Sequence, residues 1–301
     1  MRAAFAALLL GGVCIGFAPI FVRWADTGPV ASAFWRMLIA SAVLWLWRLW
    51  AARGKTLAPL VISRDAVLSG LMFAGDLAVW HFSILLTTVA NATLLANLAP
   101  VIVTLSAWWL GGQKPRSAFL AGLAVALVGA ATLVGLSFHG ATTGALGDLL
   151  GIATAFFYAA YMFSITRARA TTDALTLMAV SSSVTAIALL PIAFGFSIAQ
   201  HTPFVPGSLQ GWAVLAGLAL LAQVAGQTLI ALAAARLPVA LSSTTLLIQP
   251  LVATVAAWAW FYERLSVQQC IGAVVLLAGL YFARRSSLEP RRAPQSAATA
   301  L

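Results

Sequence analysis

Charged residues, and acidic residues above all, are scarce in this chain. Only 7 of its 301 residues are Asp or Glu and 8% are charged, whereas about 25% of the residues of a soluble protein are charged. With 62% hydrophobic residues and a mean hydropathy of +0.99, the chain cannot form a water-soluble surface, so we predict a protein embedded in the lipid bilayer. The net charge of +10 does not then indicate nucleic-acid binding, because the basic residues lie between apolar segments, where they orient a membrane protein.

Cysteines and catalytic motifs are equally sparse. Cys14 and Cys270 lie inside apolar segments at opposite ends of the chain, so we predict small core residues and neither a disulfide nor a metal site. The sequence contains no G-x-x-x-x-G-K-[ST] run for a nucleotide and no G-x-S-x-G or H-E-x-x-H motif. We therefore predict no cofactor and no enzymatic activity, and expect that any transport draws its energy from gradients.

Long apolar runs fill the rest of the sequence. Ten of them have about the 20 residues that a membrane-spanning helix needs. They lie at 3–22, 30–50, 66–86, 91–110, 118–137, 147–166, 174–196, 211–233, 239–260 and 267–284. The start resembles a signal peptide, but no polar region with a cleavage site follows it, so we interpret it as the first helix. These runs predict an all-α membrane protein of ten transmembrane helices, followed by a disordered cytoplasmic tail at 286–301.

The sequence contains an internal repeat at an offset of 150 residues. The matching pairs are Pro100 and Pro250, Trp108 and Trp258, Lys114 and Arg264, Gly122 and Gly272, and Gly129 and Gly279. A second match, between 66–71 and 213–218, has an offset of 147. We predict one repeat at 1–138 and a second at 147–285. Five helices in each half is an odd number, so the halves must lie inverted across the membrane, an architecture typical of alternating-access carriers.

The basic residues predict the orientation. With alternating crossings and a cytoplasmic N-terminus, fourteen Lys and Arg residues lie inside and three, Arg23, Arg36 and Arg264, lie outside. The positive-inside rule therefore places both termini in the cytoplasm. We predict a multi-pass protein of a bacterial inner membrane.

Asp76 is the most informative residue for function. It lies near the middle of its segment, where an Asp costs about 2.5–3.5 kcal/mol on insertion scales and must face water or a partner. Trp80 follows one turn later and His81 is adjacent, and the offset of 147 pairs Asp76 with Gln223 and Trp80 with Gln227. We predict that these residues line a central substrate cavity. The alternatives are a protonated Asp76 that joins helices by hydrogen bonds and a structural His81.

Prolines and polar residues in two equivalent segments are further candidates for a functional role. Asn97 precedes Pro100, and Gln249 precedes Pro250; each proline frees a backbone carbonyl that something else must satisfy. We predict hinges at Pro100, Pro250 and Pro19, with a simple kink as the alternative for Pro19. The remaining substrate-contact candidates are Asn97, Tyr158, Tyr161, Ser243, Thr244 and Gln249. The hydroxylated pair equally suits close helix packing, and the tyrosines equally suit a core position.

Arg36 has two alternative roles at this stage. It could bind a substrate carboxylate, but we favour an Arg36 that extends to the outer surface or pairs with Glu263. We interpret Glu263-Arg264 as a latch at the surface of its hairpin.

The repeated motifs resemble the EamA-type transporters of the drug/metabolite transporter superfamily. The resemblance rests on Pro250, Glu263-Arg264-Leu265, Gly272 and Gly279, on their first-half copies, and on the run from Pro29 to Arg36. The resemblance covers nearly the whole chain up to the tail. Within the family, the chain is most similar to bacterial aromatic amino acid exporters. It implies ten helices in two inverted halves and export of small metabolites. The sequence departs from the family at Gln113, where the second half has Glu263, and it lacks a second-half match for Arg36.

These observations together predict a secondary transporter. It would export small amphipathic metabolites, with aromatic or other apolar amino acids as the preferred class, through a cavity at the membrane midplane. Its partners would be the substrate and the bilayer, without nucleic acid, and its oligomeric state is left open. The competing hypotheses are an intramembrane enzyme that uses Asp76 and His81, a structural or receptor protein, and a passive uniporter without ion coupling.

Overall fold

The computed structural model describes residues 2–53, 62–86, 89–112, 114–134, 145–262 and 265–288, and every regular element among them is helical. The first half contains seven helices: α1 (Arg2–Gly16), α2 (Ala18–Trp24), α3 (Pro29–Ala51), α4 (Arg64–Leu86), α5 (Val89–Ala96), α6 (Ala99–Gly111) and α7 (Ser117–Val134). The second half contains α8 (Ala145–Ala168), α9 (Ala174–Ala199), α10 (Leu209–Leu218), a π-helix (Ala219–Gln227), α11 (Thr228–Ala234), α12 (Val239–Thr245), α13 (Ile248–Phe261) and α14 (Val267–Leu288).

Several of these helices join into longer apolar segments. Within the described ranges, eight segments are long and apolar enough to span a membrane, and Ala99–Leu110 and Ser117–Leu133 are shorter apolar helices. Breaks divide two of these segments and separate α5 from α6, each near a predicted proline. The helix is interrupted at Phe17 before Pro19, at Asn97 and Leu98 before Pro100, and at Leu246 and Leu247 before Pro250. The last two breaks lie at equivalent positions of the two halves.

The local sequence accounts for where helices begin and end. Pro29 occupies the first turn of α3, where its missing N–H costs nothing. Asp173 and Ser208 cap α9 and α10 by accepting hydrogen bonds from the backbone N–H groups of Thr176 and Gly211. Gly112 follows α6 with a positive φ of 63°, a conformation that glycine adopts without strain.

Helices α7 and α14 pack against each other with twofold pseudosymmetry. Their glycines are so close to the opposite helix that an added Cβ atom would collide with its backbone. The contacts pair Gly122 with Ala283, Gly129 with Leu276, Gly272 with Leu133, and Gly279 with Ala126. Adding 150 to the number of the first-half residue and subtracting 150 from that of the second-half residue converts the first pair into the third. The same operation converts the second pair into the fourth. Since the partner number falls as the glycine number rises, the two equivalent helices run antiparallel.

Contacts between connecting segments define one end of the helical bundle. The Asp26 carboxylate accepts hydrogen bonds from the Gly207 backbone N–H at 3.2 Å and from the Ser208 hydroxyl at 2.9 Å. At the same end, the Arg23 guanidinium lies 4.0 Å from the centre of the Phe261 ring. These contacts join the first half to the second, and we call this the Asp26 end.

A different set of connections meets at the other end. Arg116 donates to the Ser286 carbonyl at 3.2 Å, and the hydroxyls of Thr172 and Ser63 lie 3.4 Å apart. The helix α14 continues through Leu288. The prediction of a disordered tail from residue 286 is therefore wrong for its first three residues, because Ser286 is buried and bonded to both Arg116 and the Ala283 carbonyl. Residues 289–301 lie outside the described part of the chain.

The main hydrophobic core lies between helices of both halves. Helix α3 packs against α9, and α4 packs against both α8 and α9. Met37 and Leu44 of α3 and Tyr161 and Met162 of α8 are fully buried in this core. Polar side chains in the middle of these helices are therefore surrounded by protein, and they form the candidate site.

Candidate functional site

Arg36 lies at the centre of the polar cluster. Only 7% of the residue is exposed, and its Nη2 atom donates to Oε1 of Gln223 at 3.0 Å. Its Nε atom is buried and has no hydrogen-bond partner. The expectation that Arg36 extends to the outer surface is thus wrong: as the eighth residue of α3 it starts about 10 Å inside the helix end and points into the bundle. The alternative of a pair with Glu263 falls outside the described part of the chain. Glu263, Arg264 and Gln113 lie outside the described residues.

Asp76 of α4 faces Arg36 without touching it. The two charges interact electrostatically but form no direct ion pair. Asp76 is half-buried, and within the described part of the chain its carboxylate accepts no hydrogen bond. Tyr158 and Tyr161 of α8 are close enough to interact electrostatically with Asp76.

Two tyrosines of α8 bind glutamines of the second half, and one of them also packs against the first half. The Tyr161 hydroxyl donates to Oε1 of Gln227 at 2.9 Å, and its ring stacks on Phe73 with 4.7 Å between centroids. The neighbouring Tyr158 forms a side-chain hydrogen bond with Gln249 of α13. These bonds satisfy hydroxyl groups that would otherwise be costly to bury. Their partners come from the π-helix and from the broken segment that contains Pro250.

The π-helix carries both predicted glutamines. Gln223 is 1% exposed and Gln227 is 2% exposed, so neither faces lipid. Gln223 accepts from Arg36 and donates through Nε2 to the Ser182 hydroxyl of α9 at 3.2 Å. It thereby fixes the Arg36 guanidinium between α3 and α9. A π-helical stretch within a longer helix frequently marks a functional site, and here it occurs at the two residues that match Asp76 and Trp80.

The other predicted contact residues are placed less centrally. His81 is buried, and its Nδ1 atom lies 2.6 Å from the Leu77 carbonyl, while the Trp80 ring packs edge-on against the imidazole. Asn97 lies in the break between α5 and α6, and its Nδ2 atom is buried without a partner. Ser243 and Thr244 are buried on α12 and both donate to the Ala240 carbonyl.

The three predicted hinge prolines lie at helix interruptions. Pro100 is buried in the first turn of α6, and Pro250 is half-buried in the first turn of α13. Pro19 opens α2 and lines a cavity of about 270 Å³ between α2 and α13. The lining of that cavity contains none of the polar cluster.

Sequence reasoning missed Ser182 and Phe73, and it misplaced Arg36. Ser182 belongs to a run of three serines, 181–183, inside an apolar helix, and that run was the available signal. Phe73 lies beneath the Arg36 guanidinium, 5.9 Å from it, and no signal distinguishes it from other core aromatics. The polar cluster therefore comprises Arg36, Asp76, Tyr158, Tyr161, Ser182, Gln223, Gln227 and Gln249.

The end of the bundle opposite Asp26 has its own electrostatic feature. Arg169 donates to the Ala231 and Thr172 carbonyls, and burial lowers its pKa, with Asp173 opposing that effect. Burial alone would raise the pKa of Asp173, but hydrogen bonds from Thr176 and the charge of Arg169 hold it below its ordinary value. These contacts fix the α8–α9 connection against α11.

The cluster has the chemistry of a binding site for a dipolar molecule. It presents one fixed positive group and one carboxylate without a hydrogen bond from the first half, and amide and hydroxyl groups from the second half. Antiparallel equivalent helices around polar groups in the middle of an apolar bundle define the class of inverted-repeat membrane proteins.

The family follows from the sequence match. The model of the EamA-like transporter family matches residues 2–135 and 145–285, and this chain belongs to that family. The two matches agree with two copies of one unit.

Relatives and a solved structure extend this match. An uncharacterized transporter of Archaeoglobus fulgidus is 29% identical over 262 residues, which cover 85% of this chain and 88% of that protein. A probable terminal-alkyne amino-acid exporter of Streptantibioticus cattleyicolor is 29% identical over 202 residues, which cover 67% of this chain and 66% of that protein. A crystal structure with 20% identity superposes with a TM-score of 0.75 over 95% of this chain and 97% of its own, a likeness in fold.

Proposed function

We propose that this protein is a secondary transporter that exports small amphipathic metabolites by alternating access. The observation that carries the proposal is the polar cluster itself, in the middle of an apolar bundle: Arg36 of the first half bonds to Gln223 of the second. Asp76 of the first half interacts electrostatically with Tyr158 and Tyr161 of the second. Sites between inverted repeats near the midplane are the substrate sites of carriers.

The crossings would number ten. Connections at the Asp26 end contact one another, and the alternate connections meet at the opposite end. This pattern is expected if α5 and α6 together form one crossing and α7 forms another. Five crossings in each half also agree with the antiparallel pairing of α7 and α14. The distribution of basic residues supports cytoplasmic termini, and we propose a bacterial inner membrane as the location.

Amino acids with aromatic or other apolar side chains are the preferred substrate class. The relative from Streptantibioticus cattleyicolor, named as a probable amino-acid exporter, supports this class. The tyrosines and Phe73 supply apolar ring surface beside the charged groups. Asp76 supplies a group that can exchange protons as the site alternates between sides, and proton antiport is the coupling we propose.

Counterflow in proteoliposomes tests the function. The purified full chain is reconstituted with unlabelled phenylalanine or leucine inside and the labelled amino acid outside. We expect labelled amino acid to accumulate transiently above the level of protein-free liposomes, because a carrier exchanges substrate across the membrane. The absence of exchange for every apolar amino acid tested would contradict a carrier of this class.

A further inference from the structure

We propose that the polar cluster selects zwitterions: Arg36 binds the carboxylate, and Asp76 the ammonium, of an α-amino acid. The inference rests on the proposed function and extends it, because it names the charged form of the substrate and gives each charged residue one end of it.

Arg36 is prepared for an anionic ligand. The residue is 7% exposed, and Gln223 occupies only one of its donors. Its buried Nε atom has no partner, and buried donors in proteins are rarely left unpaired. A carboxylate would accept from Nε and from a second nitrogen of the planar guanidinium, the paired geometry that arginine favours. Gln223, held by Ser182, would fix the guanidinium for this contact.

Asp76 is prepared for a cationic ligand. Its carboxylate has no hydrogen bond among the described residues, and it interacts with Arg36 without direct contact. Because the two side chains form no direct ion pair, each retains atoms with which a ligand group could bond. An ammonium beside Asp76 and a carboxylate beside Arg36 would replace one distant attraction with two direct ones.

Charge balance explains the preference for zwitterions over singly charged molecules. When Asp76 is ionised, the Arg36–Asp76 pair is neutral as a whole, and core residues of the same helices pack around it. A zwitterion keeps the site neutral, whereas an amine or a carboxylic acid would leave one buried charge uncompensated, which is costly in an apolar environment. The apolar side chain would then lie against the rings of Tyr158 and Tyr161, 5.9 Å apart.

Binding of matched ligand series tests the inference. The probes are phenylalanine, phenethylamine and 3-phenylpropionate, and leucine with its amine and acid counterparts, each titrated into the purified full chain. We expect the wild type to bind the amino acid at least about tenfold more tightly than either counterpart, since a charge-assisted hydrogen bond is lost in each case.

Two variants should change this ranking in opposite directions. Asp76→Asn should weaken amino-acid binding at least about tenfold and favour the carboxylic acid, and Arg36→Gln should favour the amine. Arg48→Gln, on the same helix but bonded to Thr176 away from the cluster, is the matched control and should retain the wild-type ranking. The isosteric Asp76→Asn carries the test alone if Arg36→Gln does not fold.

The outcomes separate this inference from the proposed function. An unchanged ranking in Asp76→Asn, equal binding of amine and amino acid by the wild type, or no binding of any probe overturns zwitterion selection. Counterflow with an unchanged ranking leaves the carrier function standing without it. The predicted ranking without any flux would instead support the site and contradict the carrier.

Discussion

At the scale of single residues, Asp76 combines a position within the bundle with an unpaired carboxylate. The other described acidic residues, Asp26, Asp65, Asp148 and Asp173, lie in first turns or connections. Glu263 and Glu289 lie outside the described residues. Asp76 is therefore the acidic group that alternating access would expose first to one side of the membrane and then to the other.

Replacing Asp76 tests proton coupling. Asp76→Asn keeps the size of the side chain but cannot bind and release a proton. In proteoliposomes with saturating amino acid, we expect this variant to retain exchange and to lose accumulation driven by a pH gradient. Full pH-driven accumulation by Asp76→Asn would exclude coupling through this residue and leave a uniporter.

The prediction for Asp76 came from its position near the middle of its segment. The prediction for Arg36 failed because its position along the helix does not by itself determine whether the side chain reaches the surface or points into the bundle. Arg36 is the eighth residue of α3, within reach of the surface by the usual behaviour of long basic side chains. Its partner, Gln223, is 187 residues away in sequence, and nothing local indicates that both point into the same space. Only the packing of α3 against α9 and the π-helix brings them together.

At the scale of elements, the repeated glycines lie at a close contact between two equivalent helices, α7 and α14. The glycines at 122, 129, 272 and 279 were identified in sequence as repeat partners, and the structure shows why the residue type matters: each faces the backbone of the opposite helix. The sequence could not indicate that the two copies face each other, because a repeat offset shows which residues are equivalent and does not show which residues are in contact.

Two substitutions at this contact should cost equal stability. Gly129→Ala and Gly279→Ala each place a methyl group against the backbone of the opposite helix, and we expect each to lower the unfolding free energy by about 1–3 kcal/mol. The control is Gly195→Ala, where the new methyl group meets nothing within 4 Å and helix propensity favours Ala. Thermal unfolding in detergent measures all three. Clearly unequal costs at residues 129 and 279 would contradict the twofold pairing.

The cap of α9 gives a second prediction at this scale. Asp173→Ala removes the acceptor for the Thr176 N–H and should cost about 1 kcal/mol of stability at neutral pH. Asp173→Asn, which retains an acceptor, should cost less. Because the pKa of Asp173 is lowered by folding, its contribution is complete above about pH 4 and declines as the pH falls through the folded-state value. A difference between wild type and Asp173→Ala that grew on acidification would contradict this account.

The breaks and the π-helix show where sequence reasoning succeeds and where it stops. Prolines at 19, 100 and 250 predicted the interruptions because proline disrupts helical hydrogen bonding. No residue in Ala219–Gln227 demands an i to i+5 pattern, so the π-helix follows from packing around Gln223 and Gln227 and is not visible in the sequence.

At the scale of the whole molecule, the contacts between connections and the basic residues should agree on one topology. The α8–α9 connection should lie in the cytoplasm, and the Asp26 end should lie outside. In a background without Cys14 and Cys270, we expect Gly207→Cys to react with an impermeant thiol reagent added to intact cells and Ala170→Cys to react only after permeabilisation. Both positions are exposed, so the side of the membrane on which each thiol lies decides the result. The reverse pattern would show that the topology is the opposite of the one proposed.

The most direct test of alternating access is the accessibility of the polar cluster from both sides of the membrane. Gln249→Cys, in the same cysteine-free background, places a thiol beside Tyr158. We predict reaction with a small impermeant reagent from outside in intact cells and from inside in inverted vesicles, with both rates slowed by a transported amino acid. Reaction from one side alone, or from neither, would contradict a carrier that opens this site alternately to the two sides.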